Sequence, residues 1–176
     1  MAQDASLPPK AVSVNVSARQ FREKTLVARV ASALKESGLD AKYLELEVTE
    51  SLIMQDIELA VATMKDLQCL GIQLSIDDFG TGYSSLSALK TFPVTRLKID
   101  KSFIDGLLAD ENYRAVAGAV ISLGQTLNLR VIAEGVETDA QAAFLRNINC
   151  DEMQGYLFSK PLPAQGIAEL LRGTSG

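Results

Sequence analysis

The chain contains no histidine. That removes the commonest general base and the commonest transition-metal ligand, so any chemistry must run on carboxylates, amides, hydroxyls or lysine. Cysteine is almost as scarce: Cys69 and Cys150 stand in unrelated contexts without CxxC spacing. This argues against a disulfide framework or a zinc–thiolate site and for a reducing compartment, the cytoplasm. No block of like charge occurs, and 22 acids against 17 bases give a net charge of -5. Binding of a nucleic-acid polymer by bulk electrostatics is therefore not expected, and a phosphate-bearing ligand would need metal ions or a few placed bases. The opening "MAQDASLPPK" lacks the apolar centre of a secretory signal. The longest mostly apolar run, Ala115–Gly124, is too short to span a bilayer. Direct membrane insertion is not expected, whatever anchoring a parent protein has.

What is present suits one domain over residues 1–176, with an irregular segment at 1–10. Six segments read as strands: Ala11–Val16, Tyr43–Val48, Ile72–Asp77, Thr95–Asp100, Arg130–Glu134 and Asp151–Leu157. Between them lie helical patterns. Leu26, Val30 and Leu34 recur at i+4 before Gly38, and Ile57, Ala60, Met64 and Leu67 precede Gly71. Val116, Val120, Leu123 and Leu127 mark Tyr113–Leu127, Thr138–Gln141 reads as a capping box, and Pro163–Leu171 forms a short last helix. Strand followed by helix, six times over, predicts an α/β fold with a parallel sheet.

Strand parity narrows this further. In the first four strands one parity is aliphatic and the other polar: Ser13/Asn15, Glu45/Glu47, Gln73/Ser75/Asp77 and Arg96/Lys98/Asp100. A doubly wound sheet, covered by helices on both faces, should be apolar on both parities. A barrel turns one face inward and tolerates polar residues near its top, where barrel enzymes place their chemistry. The expected fold is a TIM-like (β/α) barrel.

In a barrel, Asn15, Glu47, Asp77 (with Asp78 just beyond), Lys98, Glu134 and Gln154 converge at one end. Oxygen donors without His or Cys are hard ligands, suited to Mg²⁺, Mn²⁺ or Ca²⁺. Adjacent aspartates can serve two metals about 3.5–4 Å apart, the arrangement for in-line phosphoryl chemistry. A lysine among them can hold a water or an anionic substrate, and Glu134 is available as a general base. Each residue alone has a plainer reading. Glu47 and Glu50 can be solvated, Lys98 and Asp100 a surface ion pair, Glu134 a turn acid and Gln154 a backbone partner; Gly80 and Gly82 can simply mark a turn. The conjunction of six positions at one end of six strands favours a site.

The segments "SVNVSARQF", "LELEVTES", "SIDDFGTGYSSL", "LKIDKSFI", "VIAEGVET" and "MQGYLFSKPLP" closely resemble the EAL-type cyclic-di-GMP phosphodiesterases of bacteria, from about Ala11 to Leu171. The resemblance implies a TIM-like barrel that hydrolyses one phosphodiester of cyclic di-GMP to linear pGpG with Mg²⁺ or Mn²⁺. It implies Asn15, Glu47 and Asp77 as metal ligands and Asp78 as the second-metal acid. Lys98 matches the residue orienting the catalytic water, Glu134 the base or a further ligand, and Glu50 the acid steadying the "DFGTGYSSL" loop, which in the family also reaches dimer contacts. Asn15, Gln154 and the "SKPLP" segment, with Ser159 and Pro161, match positions that approach substrate.

One departure is large. The Glu-Ala-Leu strand that names the family, whose glutamate completes the metal site, belongs upstream of "SVNVSARQF" and is not in this sequence. The expectation is therefore an incomplete barrel of about six βα units, short of the roughly 200–400 residues of a full one. Fewer carboxylates weaken divalent binding, so the activity is implied for the parent domain more than for this stretch alone. One rival is a non-catalytic module that binds cyclic di-GMP or a protein; another is a barrel enzyme using Lys98 as base beside a metal-stabilised enolate. Open edges beside the first and last strands, or the loop at 79–86, make a homodimer the expected state. Size-exclusion chromatography with light scattering should then give twice the chain mass, and a monodisperse monomer would contradict it.

Overall fold

The alternating strands assemble into one parallel sheet whose spatial order follows the chain. The computed structural model describes residues 10–82 and 86–173, so most of the 1–10 segment and Tyr83–Ser85 of the expected contact loop lie outside the described residues. The strands are β1 (Val12–Asn15), β2 (Leu44–Thr49), β3 (Gln73–Phe79), β4 (Arg96–Ile99), β5 (Arg130–Ala133) and β6 (Glu152–Met153). Each pairs in parallel with the next, in the order β1-β2-β3-β4-β5-β6. A doubly wound sheet reverses its order at a switch point; this one never does. It is an open arc of barrel staves, since β1 and β6 do not pair among the described residues.

The helices are α1 (Ala18–Phe21), α2 (Leu26–Ser37), α3 (Glu50–Ile53), α4 (Ile57–Cys69), α5 (Leu86–Leu89), α6 (Lys101–Asp105), α7 (Glu111–Thr126), α8 (Asp139–Asn147) and α9 (Ala164–Gly173). The long ones form where the periodic stripes predict. Asp56 caps α4 by accepting the Leu59 N–H at 3.0 Å, and Ala60, Met64 and Leu67 are buried. Gly38, at φ +67°, ends α2 in the left-handed conformation. The outward parity of the sheet forms the core beneath them: Leu46, Val48, Leu74, Ile76, Leu97, Ile99, Val131 and Ala133 are all at most 4% exposed.

The structure differs from the sequence reading in two places. The short helices α1, α3, α5 and α6, four or five residues each, carry no periodic stripe; a helix that short buries too few side chains to leave one. The sixth strand is two residues long rather than seven. Gly155 lies so close to the Val136 backbone that a Cβ would sit 2.1 Å from the Val136 carbonyl oxygen. The chain turns there, and the Leu157 N–H reaches back to the Val136 carbonyl at 3.0 Å.

α7 approaches β5 through a second glycine. A Cβ on Gly124 would meet Val131 Cγ2 at 2.2 Å, and both residues are buried. Gly124→Val should therefore destabilise the fold by about 1–3 kcal/mol through overpacking, read as a lower urea midpoint. An unchanged midpoint would show that α7 shifts freely on the sheet.

Candidate active site

Strand pleat sends Asn15, Glu47, Asp77, Lys98 and Glu134 to the inner face of the arc, near the C-terminal ends of β1 to β5. Lys98 occupies the centre. Its Nζ lies 2.7 Å from Glu47 Oε2, 2.6 Å from Glu134 Oε1 and 3.3 Å from Asp77 Oδ1. Lys98, Glu47 and Asp77 are buried and Glu134 is half-buried. Burial by itself lowers a lysine, but hydrogen bonds to Glu134 and Glu47 and the charges of Glu134 and Asp77 hold this ammonium well above its ordinary range. Burial likewise pushes the Glu134 carboxyl up; Lys98 offsets that rise only in part, and Asp77 and Glu47 add to it. Three carboxylates around one ammonium leave two negative charges uncompensated.

Asn15 closes the cluster from the exposed strand β1. Its amide edge lies 3.3 Å from Glu47 Oε2 and 3.2 Å from Asp77 Oδ2. With nitrogen at that edge it donates to both acids; with oxygen there, three oxygens converge at the spacing found around a small hard cation. Among the described residues no three Asp, Glu, His or Cys side chains form a metal-holding group, so the fit depends on the amide oxygen. Asn15, Glu47 and Asp77 are the residues that could hold a divalent ion.

The adjacent acids part company at a bulge. The β3–β4 register shifts between Ile76 and Phe79, and Asp78 adopts a left-handed φ of 54°. Asp77 stays inside, accepting its neighbour's N–H at 3.0 Å, while Asp78 bonds to Asp100 instead. Burial, then the charges of Asp77 and Asp100, push the Asp78 carboxyl up. Burial also pushes Asp100 up, but hydrogen bonds from the Ser102 hydroxyl and N–H, then from Asp78 and the Lys101 N–H, together outweigh it, and its carboxyl lies below the usual range. Glu50 is 2% exposed, and its Oε2 accepts the Gly80 N–H at 2.8 Å. A Cβ on Gly82 would sit 2.8 Å from Glu50 Oε1, so the loop's glycines let it lie directly on this acid.

The remaining predicted residues lie further out. Gln154 lines a 200 Å³ cavity together with Glu47 and Lys98. Ser159 and Pro161 follow on the outer segment, where the Ser159 hydroxyl donates to the Lys160 carbonyl and Pro161 is exposed; neither joins the cluster. Lys98 and Asp100 are not a surface pair, because Lys98 points inward and Asp100 caps α6. Polar inward residues are also not confined to the top. One tier lower, Arg96 bonds to Glu45 and, at 2.8 Å, to Gln73, with Ser13 donating to Glu45 at 3.3 Å. Equal parity with Lys98 and Glu47 was the signal for this tier. Asp100 as partner of Asp78 had no sequence signal, since the bulge creates it.

A parallel arc of βα units with a carboxylate–lysine cluster at its C-terminal mouth defines the class: a (β/α)-barrel domain with an acid-rich site. The sequence matches the EAL domain family over residues 1–161, and the chain belongs to that family. It is 46% identical over 156 residues to the Pseudomonas aeruginosa bifunctional diguanylate cyclase/cyclic di-GMP phosphodiesterase MucR, covering 89% of this chain and 23% of MucR. It is 48% identical over 161 residues to cyclic di-GMP phosphodiesterase NbdA of the same organism, covering 92% and 21%. The chain thus spans under a quarter of the curated relatives it matches. The MucR phosphodiesterase in complex with c-di-GMP superposes with a TM-score of 0.88 at 45% identity, covering 89% of this chain and 64% of that one. Klebsiella pneumoniae BlrP1, solved with manganese and cy-diGMP, superposes at 0.80 with 28% identity, covering 87% and 39%; a calcium complex of it is also known. Divalent ions therefore belong to this family's sites.

Lys98→Met should cost about 3–5 kcal/mol at neutral pH, because Glu47, Asp77 and Glu134 remain buried without their cation. Glu134 is already raised in the folded state, and losing Lys98 raises it further. A carboxyl raised on folding contributes stability below its unfolded value and loses it as pH rises through the folded value. The deficit should therefore be full well above the raised Glu134 value and shrink on acidification toward it. Urea unfolding at the two ends of that window reads the difference; a pH-independent deficit would contradict the cluster's electrostatics.

Proposed function

We propose that this chain carries the hydrolytic centre of a cytoplasmic EAL domain that cleaves one phosphodiester of cyclic di-GMP to linear pGpG, using Mg²⁺ or Mn²⁺. The observation that carries the reading is the charge imbalance: three carboxylates converge on a single ammonium, with the Asn15 amide against two of them. Such a cluster is poorly compensated alone and well suited to divalent cations. The names of the similar proteins and the c-di-GMP held by the MucR structure supply the substrate class.

Asn15, Glu47 and Asp77 would hold one ion, and Asp78 would serve a second. When bound, such ions stabilise negative charge on phosphoryl oxygens. Glu134 is the group placed to take a proton from an attacking water, since burial raises its carboxyl above the ordinary range and makes it a stronger base. Lys98 fixes Glu134 Oε1 through a 2.6 Å bond and orients the water beside it. Glu50 holds the Gly80–Gly82 loop against the site. Gln154, just past β6, would face the substrate, with Ser159 and Pro161 further along the same segment. A homodimer through the 79–86 loop or the open sheet edges belongs to the same reading.

Incubating the chain with cyclic di-GMP and Mn²⁺ should yield pGpG by chromatography, with none in chelator. Asp77→Ala should lower the rate at least about 100-fold, as expected for losing a metal-site carboxylate. Calorimetric binding without product would make this a binding module, and neither binding nor product would defeat the reading.

A further inference from the structure

The acid at the mouth of β5 lies just past the end of the strand, where its own N–H still donates to the Ile99 carbonyl at 3.2 Å. Glu134 follows the last strand residue and precedes Gly135, whose φ of +72° turns the chain sharply. Two residues beyond the cluster tie that turn to α6, the helix that begins three residues after Lys98. Gln141 is 6% exposed. Its Oε1 accepts the Glu137 N–H at 2.9 Å and the Thr138 N–H at 3.0 Å, and its Nε2 donates to the Ile104 carbonyl at 3.0 Å. Lys101 lies along the other side. A Cβ on Gly135 would meet Lys101 Cγ at 2.3 Å, and the Lys101 ammonium reaches Glu137 Oε1 at 2.5 Å.

We propose that Gln141 and Lys101 are positioning residues that lace the turn after β5 to the helix after β4, and so hold the Glu134 carboxylate on the Lys98 ammonium. The two laced segments leave adjacent strands whose register pairs Lys98 with Ile132 and Ile99 with Ala133, so Lys98, one residue before that last pair, and Glu134, one residue after it, depend for their 2.6 Å contact on both turns holding their relative height. Capping α8 uses only the acceptor end of Gln141, through its bonds from the turn and the Gln141 N–H donated to Thr138 Oγ1 at 3.2 Å. The donor end does something a cap does not need: it reaches 37 residues back along the chain to Ile104.

That division makes the idea separable from a structural role. Gln141→Glu keeps the acceptor for the cap but places a carboxylate where the bond to the Ile104 carbonyl was. Lys101→Met keeps the stem on Gly135 and removes the bond to Glu137, together with a looser 4.0 Å approach to Asp105 within α6. The inference rests on Glu134 belonging to the site, so the readout uses neither substrate nor metal: the Lys98 ammonium resonance and its exchange with water, followed by nitrogen NMR in the chain as it stands. In folded Gln141→Glu the resonance should shift and its exchange quicken several-fold, while a helical spectrum persists. Lys101→Met, with half-exposed partners that carry little stability, should shift the same resonance with no change in thermal midpoint. An unmoved Lys98 resonance in folded Gln141→Glu overturns the proposal and leaves Gln141 a helix cap. Should that variant fail to fold, Lys101→Met decides alone, by the same shift or its absence. A failed hydrolysis assay leaves this result untouched.

Discussion

The Lys98 ammonium is the constraint on which the rest depends. A buried carboxylate is costly unless paired, and three at the mouth of one sheet are tolerable only with a cation among them. Lys98 reaches Glu47, Asp77 and Glu134, which lie on three different strands or their ends, because β2, β3, β4 and β5 run parallel in near-even register. An antiparallel sheet would set neighbouring strand ends at opposite edges and scatter the same residues. Parallel topology and the site are therefore one requirement seen twice.

The inner face is organised in two tiers by the same logic. Arg96 with Glu45 lies one pleat repeat below Lys98 with Glu47, about 6.6–7 Å along the strand. The lower tier is compensated nearly one for one and serves the interior. The upper tier is over-supplied with acid and faces the mouth. That difference in balance, more than the presence of charge, separates a structural ion pair from a site that calls for a further cation. The bulge in β3 completes the division: it keeps Asp77 in the cluster and turns Asp78 away to Asp100, so two like charges adjacent in sequence are not opposed in space.

Much of this was legible in the residues. Alternation in "VSVN" and "LELEV" marks strands with one polar face, and capping by Thr138 with Gln141 forms where the sequence signals it. The convergence of Asn15, Glu47, Asp77, Lys98 and Glu134 also follows from parity and strand order alone. The same reasoning misjudged the last strand, because Gly155 is fixed by its approach to Val136, and no local pattern encodes that contact. It missed the one-turn helices, which lack a full period.

The sequence by itself determined which side chains share a face, since a period of two or of 3.6 is a property of the local backbone. It determined the donor types on offer as well, because a chain without histidine that masses carboxylates at strand ends presents oxygen atoms and one lysine there. Only the tertiary structure decided which acid meets which base. Lys98 takes Glu47, Asp77 and Glu134, Arg96 takes Glu45, and Asp78 takes Asp100, through strand register and a bulge. Those pairings span tens of residues and depend on distances set by packing, which no local period contains.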